Sequence, residues 1–185
     1  DSAEIFDRRW FAMRQIPTFI QKEESFFCVS VSYRASTGLF VKSIVDVYNF
    51  SRSASVTSDK VLDVNLVGWI PKPGTDPTKA VVGFPFFPLP LLNLFSELNS
   101  WIVDGGSFDD LDTDKVSGTD MEWALISGGP PDTDGNEGRC YSPTGLWILS
   151  RVADPDQTVI DKIDTRAVEL GLDVSQYRPE THEGC

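Results

Sequence analysis

Trp10-Phe11-Ala12-Met13-Arg14-Gln15-Ile16-Pro17 and, about 135 residues later, Leu146-Trp147-Ile148-Leu149-Ser150-Arg151 frame the chain. Each is a short apolar run carrying a basic residue, of strand length and not helix length. Runs of the same kind recur between them, separated by Gly, Pro, Asn, Asp and Ser. That punctuation predicts an all-β chain.

Working outward from the two frames, Phe26 to Tyr33 alternates, with Phe27, Val29, Val31 and Tyr33 on one face and Cys28, Ser30 and Ser32 on the other. Ser36-Thr37-Gly38 supplies a turn, and Leu39 to Tyr48 reads as the returning strand. Val61 to Ile70 and Lys79 to Phe84 flank a Pro71-Lys72-Pro73-Gly74 turn; Ser100 to Val103, Met121 to Ser127 and Gly145 to Arg151 follow. With Trp10 to Arg14 the count is eight. Eight strands joined in sequence suit a closed, antiparallel, up-and-down β-barrel, because closure removes the unpaired edges of an open sheet. Such a barrel holds side chains or one small ligand. Asp156 to Leu170 reads as a single C-terminal helix on the outside of the barrel. Asp154 or Asp156 caps it, Val159, Ile160, Ile163, Ala167 and Leu170 form its apolar stripe, and Gly171 stops it. The whole chain, 1–185, is expected to form one domain: barrel about 9–151, helix about 156–170, tail 171–185.

Composition narrows the function. At 185 residues the chain can bury about 70% of its unfolded surface. Its net charge of −12, from 16 basic and 28 acidic residues, offers no Lys/Arg cluster to displace counterions from phosphates, which argues against nucleic acid as a partner. No apolar run reaches the roughly 18 residues of a transmembrane helix. No targeting peptide is expected within the chain, because charges at Asp1, Glu4, Asp7, Arg8 and Arg9 leave no apolar leader segment.

The two framing runs, taken together, resemble the first and last conserved strands of the lipocalin family. The resemblance is closest to its apolipoprotein D and bacterial lipocalin branch. Cys28-Val29-Ser30-Val31-Ser32-Tyr33 resembles that branch's second strand, Trp123-Ala124-Leu125-Ile126-Ser127-Gly128 its seventh, and Gly171-Leu172-Asp173-Val174-Ser175 the segment after its helix. About half the chain is covered, in order. Arg8 stands where the family usually has Gly, and Phe84 to Leu98 and Pro130 to Pro143 look longer than family connections.

The resemblance implies binding or transport of a small hydrophobic ligand: a fatty acid, sterol, retinoid, carotenoid or tetrapyrrole. No obligate cofactor or metal is implied beyond such a bound lipid or pigment. Expected lining residues are Val29, Val31, Tyr33, Val45, Val47, Met121, Trp123 and Leu125, with Phe86 and Phe87 near the mouth; one register slip would invert a face. Trp10 and Arg151 are expected to stack structurally at the closed end. The branch also implies a Cys28–Cys185 disulfide leaving Cys140 free; the alternative is two unpaired thiols. A bridge would place the protein outside the cell or in an organelle lumen, the thylakoid lumen included.

Phe84 to Phe95, broken by Pro85, Pro88 and Pro90, is either a lid over the mouth or a docking surface for a protein partner, such as a pigment-containing membrane complex. Catalysis is not expected. The lone histidine, His182, sits in a tail read as exposed, so no Ser-His-Asp or Cys-His set is available. Lipocalin-type enzymes such as de-epoxidases direct attention to Asp46 and Tyr48, which share a face; the plainer reading is an outward polar face. Asp110, Asp112, Asp114 and Asp132, Asp134, Asn136 begin like calcium loops but lack the Gly and Glu that complete one. Asn49-Phe50-Ser51 matches an N-glycan acceptor.

Overall fold

A computed structural model describes residues 8–36, 44–83, 98–111 and 121–185. The strands are β1 (Arg8–Gln15), β2 (Phe27–Ser36), β3 (Ile44–Arg52), β4 (Val61–Trp69), β5 (Lys79–Gly83), β6 (Leu98–Gly106), β7 (Trp123–Ser127), β8 (Thr133–Asp134), β9 (Cys140–Tyr141), β10 (Leu146–Ser150) and β11 (Arg178–Pro179), with helix α1 (Gln157–Glu169) between the last two. Each of β1 to β6 pairs antiparallel with the next, β7 pairs with β10, and β10 returns to β1. Phe11 lies opposite Ser150 and Gln15 opposite Trp147 at this seam, so the two framing runs close an eight-stranded barrel on each other. The expected sixth strand is longer than read, and β7 begins at Trp123, not Met121. Residues 39–43 and 84, expected at strand ends, lie outside the described residues.

Two apolar cores result. Inside the barrel, Trp10, Ala12, Val29, Val31, Val45, Val47, Leu66, Val82, Met121, Ala124, Ile126 and Leu149 pack together. Outside it, Met13, Trp123, Leu125, Leu146 and Ile148 pack against Ile160, Ile163 and Ala167 of α1. This corrects the expected place of Trp123 and Leu125, which lie under the helix. All five residues of β7 are buried, so alternation of apolar and polar residues carries no phase for that strand.

α1 begins where Asp156 accepts a hydrogen bond from Thr158 N–H at 2.9 Å. It ends with Gly171 at φ +82, Leu172 N–H bonded to Ala167 O at 2.9 Å and Gly171 N–H to Val168 O at 3.0 Å. That left-handed position suits glycine. Leu172 then enters the outer core, while Leu170, expected on the stripe, is 41% exposed. Arg14 to Asp164 at 3.0 Å and Arg166 to Asp104 at 2.8 Å tie the helix to β1 and β6. The 130–143 connection is also anchored: Asp173 accepts from Asn136 N–H at 2.8 Å and Ser175 N–H at 2.9 Å. Burial opposes its ionisation, but the Ser175 and Asn136 hydrogen bonds prevail and hold this carboxyl below its ordinary value.

The C-terminal tail fills a split in the wall. β2 pairs with β1 only over Arg8–Phe11, and a bulge at Cys28, with φ +56, bends it away. β11 takes the place beside Arg14 and Gln15, and Cys28 N–H donates to Thr181 O at 2.9 Å. A disulfide joins Cys28 to Cys185, with Cα atoms 5.6 Å apart, and Cys140 is free.

Candidate ligand cavity

Among the described residues, the inward stripes leave the barrel partly unfilled. A cavity of about 150 Å³ runs between the walls, with an adjoining lobe of about 40 Å³. The two share Tyr33, Val47, Val82, Ser100 and Ile126. Its lower limit is the packed group around Trp10, which is fully buried; the Arg151 guanidinium lies 3.7 Å from the indole centroid and donates through Nε to Met121 O at 3.2 Å. Its upper limit is the 18–21 connection, where Phe19 is 76% exposed beside the mouth.

Of the expected lining residues, Val29, Val31, Tyr33 and Val47 border the main lobe and Val45 the smaller one. Met121 belongs to the packed group below it, and Trp123 and Leu125 face α1. Phe86 and Phe87 lie outside the described residues. Burial pushes the Tyr33 phenol up to about 12, against the opposing effect of its Ser100 hydrogen bond.

Other wall residues were missed. Asn49 and Ser51 continue the Val45–Val47 stripe at period two, and Trp147 and Leu149 hold the inward parity of β10. Extending each stripe to the strand end would have found them. Gln15 was hidden because the β1 register shifts between Ala12 and Arg14, so parity counted from Trp10 fails there. Gly145, at φ +141, leaves room for Trp147: a Cβ would meet the indole Cη2.

The remaining candidates fall elsewhere. Asp46 and Tyr48 point outward, Tyr48 being 37% exposed, so they cannot act on a barrel ligand. Asn49 lies on the cavity wall, a poor place for a glycan. No cluster of potential metal ligands occurs among the described residues. His182 is not an exposed tail residue: its Nε2 donates to Ala12 O at 2.6 Å and its ring meets Phe11 edge-on at 5.6 Å. Burial, which outweighs the Ala12 contact, holds its pKa below the ordinary value. No helix among the described residues is long and apolar enough to cross a membrane.

No family model and no curated protein matches the sequence. Solved structures do match the fold. Apocrustacyanin C1 superposes over 97% of this chain and 78% of its own at a TM-score of 0.60 with 12% identity. Lobster apocrustacyanin A1 matches over 96% and 78% at 0.58 with 14% identity. The cockroach allergen Per a 4 matches over 98% and 88% at 0.54 with 13% identity. With a closed eight-stranded barrel, one external helix and these structural neighbours, the chain has the lipocalin fold.

Proposed function

We propose that this chain is a lipocalin that binds a small hydrophobic ligand inside its barrel and carries no catalytic function. The apolar-walled cavity is the observation that carries this reading. Protein interiors are close-packed, so a cavity of this size leaves its apolar lining short of packing partners. An apolar guest restores the missing contacts and gains about 25 cal/mol for each Å² it removes from water. The cavity volume matches a ring or a short hydrocarbon segment, so a sterol, retinoid or fatty acid would extend toward the mouth, and a carotenoid or tetrapyrrole would extend beyond it.

Placement in the apolipoprotein D and bacterial branch is supported by the ordered motifs and the Cys28–Cys185 staple. The staple also supports an extracellular or lumenal compartment, since such bridges persist where thiols are oxidised. The apolar 84–95 segment, as lid or docking surface, lies outside the described residues.

Titration with the neutral fluorophore N-phenyl-1-naphthylamine tests the reading. Saturable one-to-one binding with energy transfer from tryptophan is expected, Trp147 being on the wall. Absence of saturable binding to folded protein would overturn it.

A further inference from the structure

Two polar side chains on the cavity wall make no hydrogen bond within the described protein. Gln15 is fully buried, and neither its Nε2 nor its Oε1 has a partner; Ser51 is 1% exposed, and its Oγ has none. Both border the main lobe. Buried polar atoms are normally satisfied, and leaving three unmet is costly. The cost is offset when a bound molecule completes the bonds.

The kind of molecule follows from what surrounds them. Neither lobe is bordered by an Asp, Glu, Lys, Arg or His among the described residues. A carboxylate brought here would lose its hydration with no counter-charge to replace it, whereas an uncharged oxygen needs only neutral partners. Gln15 offers both a donor and an acceptor, and Ser51 a hydroxyl that can do either. A ligand carbonyl can accept from either residue. A ligand hydroxyl can in addition donate to Gln15 Oε1. Position agrees: Gln15 and Ser51 close their strands toward the mouth, while the depth of the barrel is walled by Val31, Val47, Leu66 and Leu149.

We infer that Gln15 and Ser51 form a neutral polar subsite, which selects ligands with a hydroxyl or carbonyl oxygen on an apolar body over the matching carboxylates. The inference rests on the ligand-binding reading above and narrows it.

Displacement of N-phenyl-1-naphthylamine by 1-decanol and by decanoate, at about pH 8 where the carboxylate is ionised, provides the test. Partition alone favours the alcohol, so the informative quantity is how the preference changes on substitution. In the Gln15→Leu/Ser51→Ala protein the decanol-over-decanoate preference should fall by about tenfold, the equivalent of one or two lost hydrogen bonds. The fluorophore's own affinity is measured first for each protein; it enters both displacement constants and so cancels from the preference. Gln15→Leu should melt at or above the parent temperature, because it removes unmet polar atoms; a Gln15 with a purely structural role would lower it. Should the double variant fail to fold, Ser51→Ala alone carries the comparison with a smaller fall expected. An unchanged preference in folded variants overturns the subsite and leaves the carrier intact. A fluorophore that never binds the parent overturns both.

Discussion

Trp10 and Arg151 sit 141 positions apart and meet at the barrel's closed end, where the stacked pair adds about 0.5–2 kcal/mol to the burial of the indole. Trp10→Ala should cost about 3–5 kcal/mol in denaturant unfolding, in the range of buried aromatic truncations. A ligand defect without that loss would make the pair a binding element. Two tail residues contribute opposite terms to the pH response. Part of Glu180 reaches solvent, but both carboxylate oxygens are sealed without a hydrogen-bond partner among the described residues, and burial raises its pKa well above the ordinary value of 4.5. Its stabilising contribution is therefore complete below about pH 4.5 and is lost as pH rises toward the folded value. His182 has the opposite sign. Held neutral by burial, it contributes fully above its ordinary 6.5 and loses that contribution as pH falls through the depressed folded value. In thermal melts from about pH 4 to 8, Glu180→Gln should gain on the parent as pH rises, and His182→Gln should gain as pH falls below about 6.5. Parallel curves for either variant would mean that the residue titrates alike in folded and unfolded protein.

The elements were legible to different degrees. The helix was readable because its cap, stripe and stop coincide in sequence, apart from Leu170, whose expected burial passes to Leu172 once Gly171 turns the chain. In β3, which has one polar face, Val45 and Val47 lie inward as the alternation reads, but Asn49 and Ser51 on the same stripe were not followed because they are polar. β7, buried on both faces by barrel and helix, gave no phase, and the bulge in β1 concealed Gln15. The tail had no signal of its own, since its position depends on the divergence of β1 and β2 from one another. That dependence makes the disulfide a structural staple across 157 residues. Cys185→Ser should lower the unfolding free energy by up to about 4–5 kcal/mol by the chain-entropy estimate. Reductant should destabilise the parent and leave the variant unchanged; equal sensitivity in both would place the reducible bond elsewhere.

For the whole molecule, the order of the motifs along the chain located the barrel, but the space inside it depends on side-chain sizes from many strands and could not be read from any one of them. Val47 borders both lobes and is 5% exposed, so enlarging it tests whether that space is real and used. Val47→Phe adds volume where a void exists, whereas in a filled core the same change would typically cost about 1–3 kcal/mol. The decisive measurement is therefore N-phenyl-1-naphthylamine affinity and melting temperature on the same Val47→Phe sample. A protein that melts at or above the parent temperature and binds the fluorophore at least about tenfold more weakly, a loss of about 1.4 kcal/mol, is the expected result. A folded variant that keeps the parent affinity would contradict ligand binding inside the barrel.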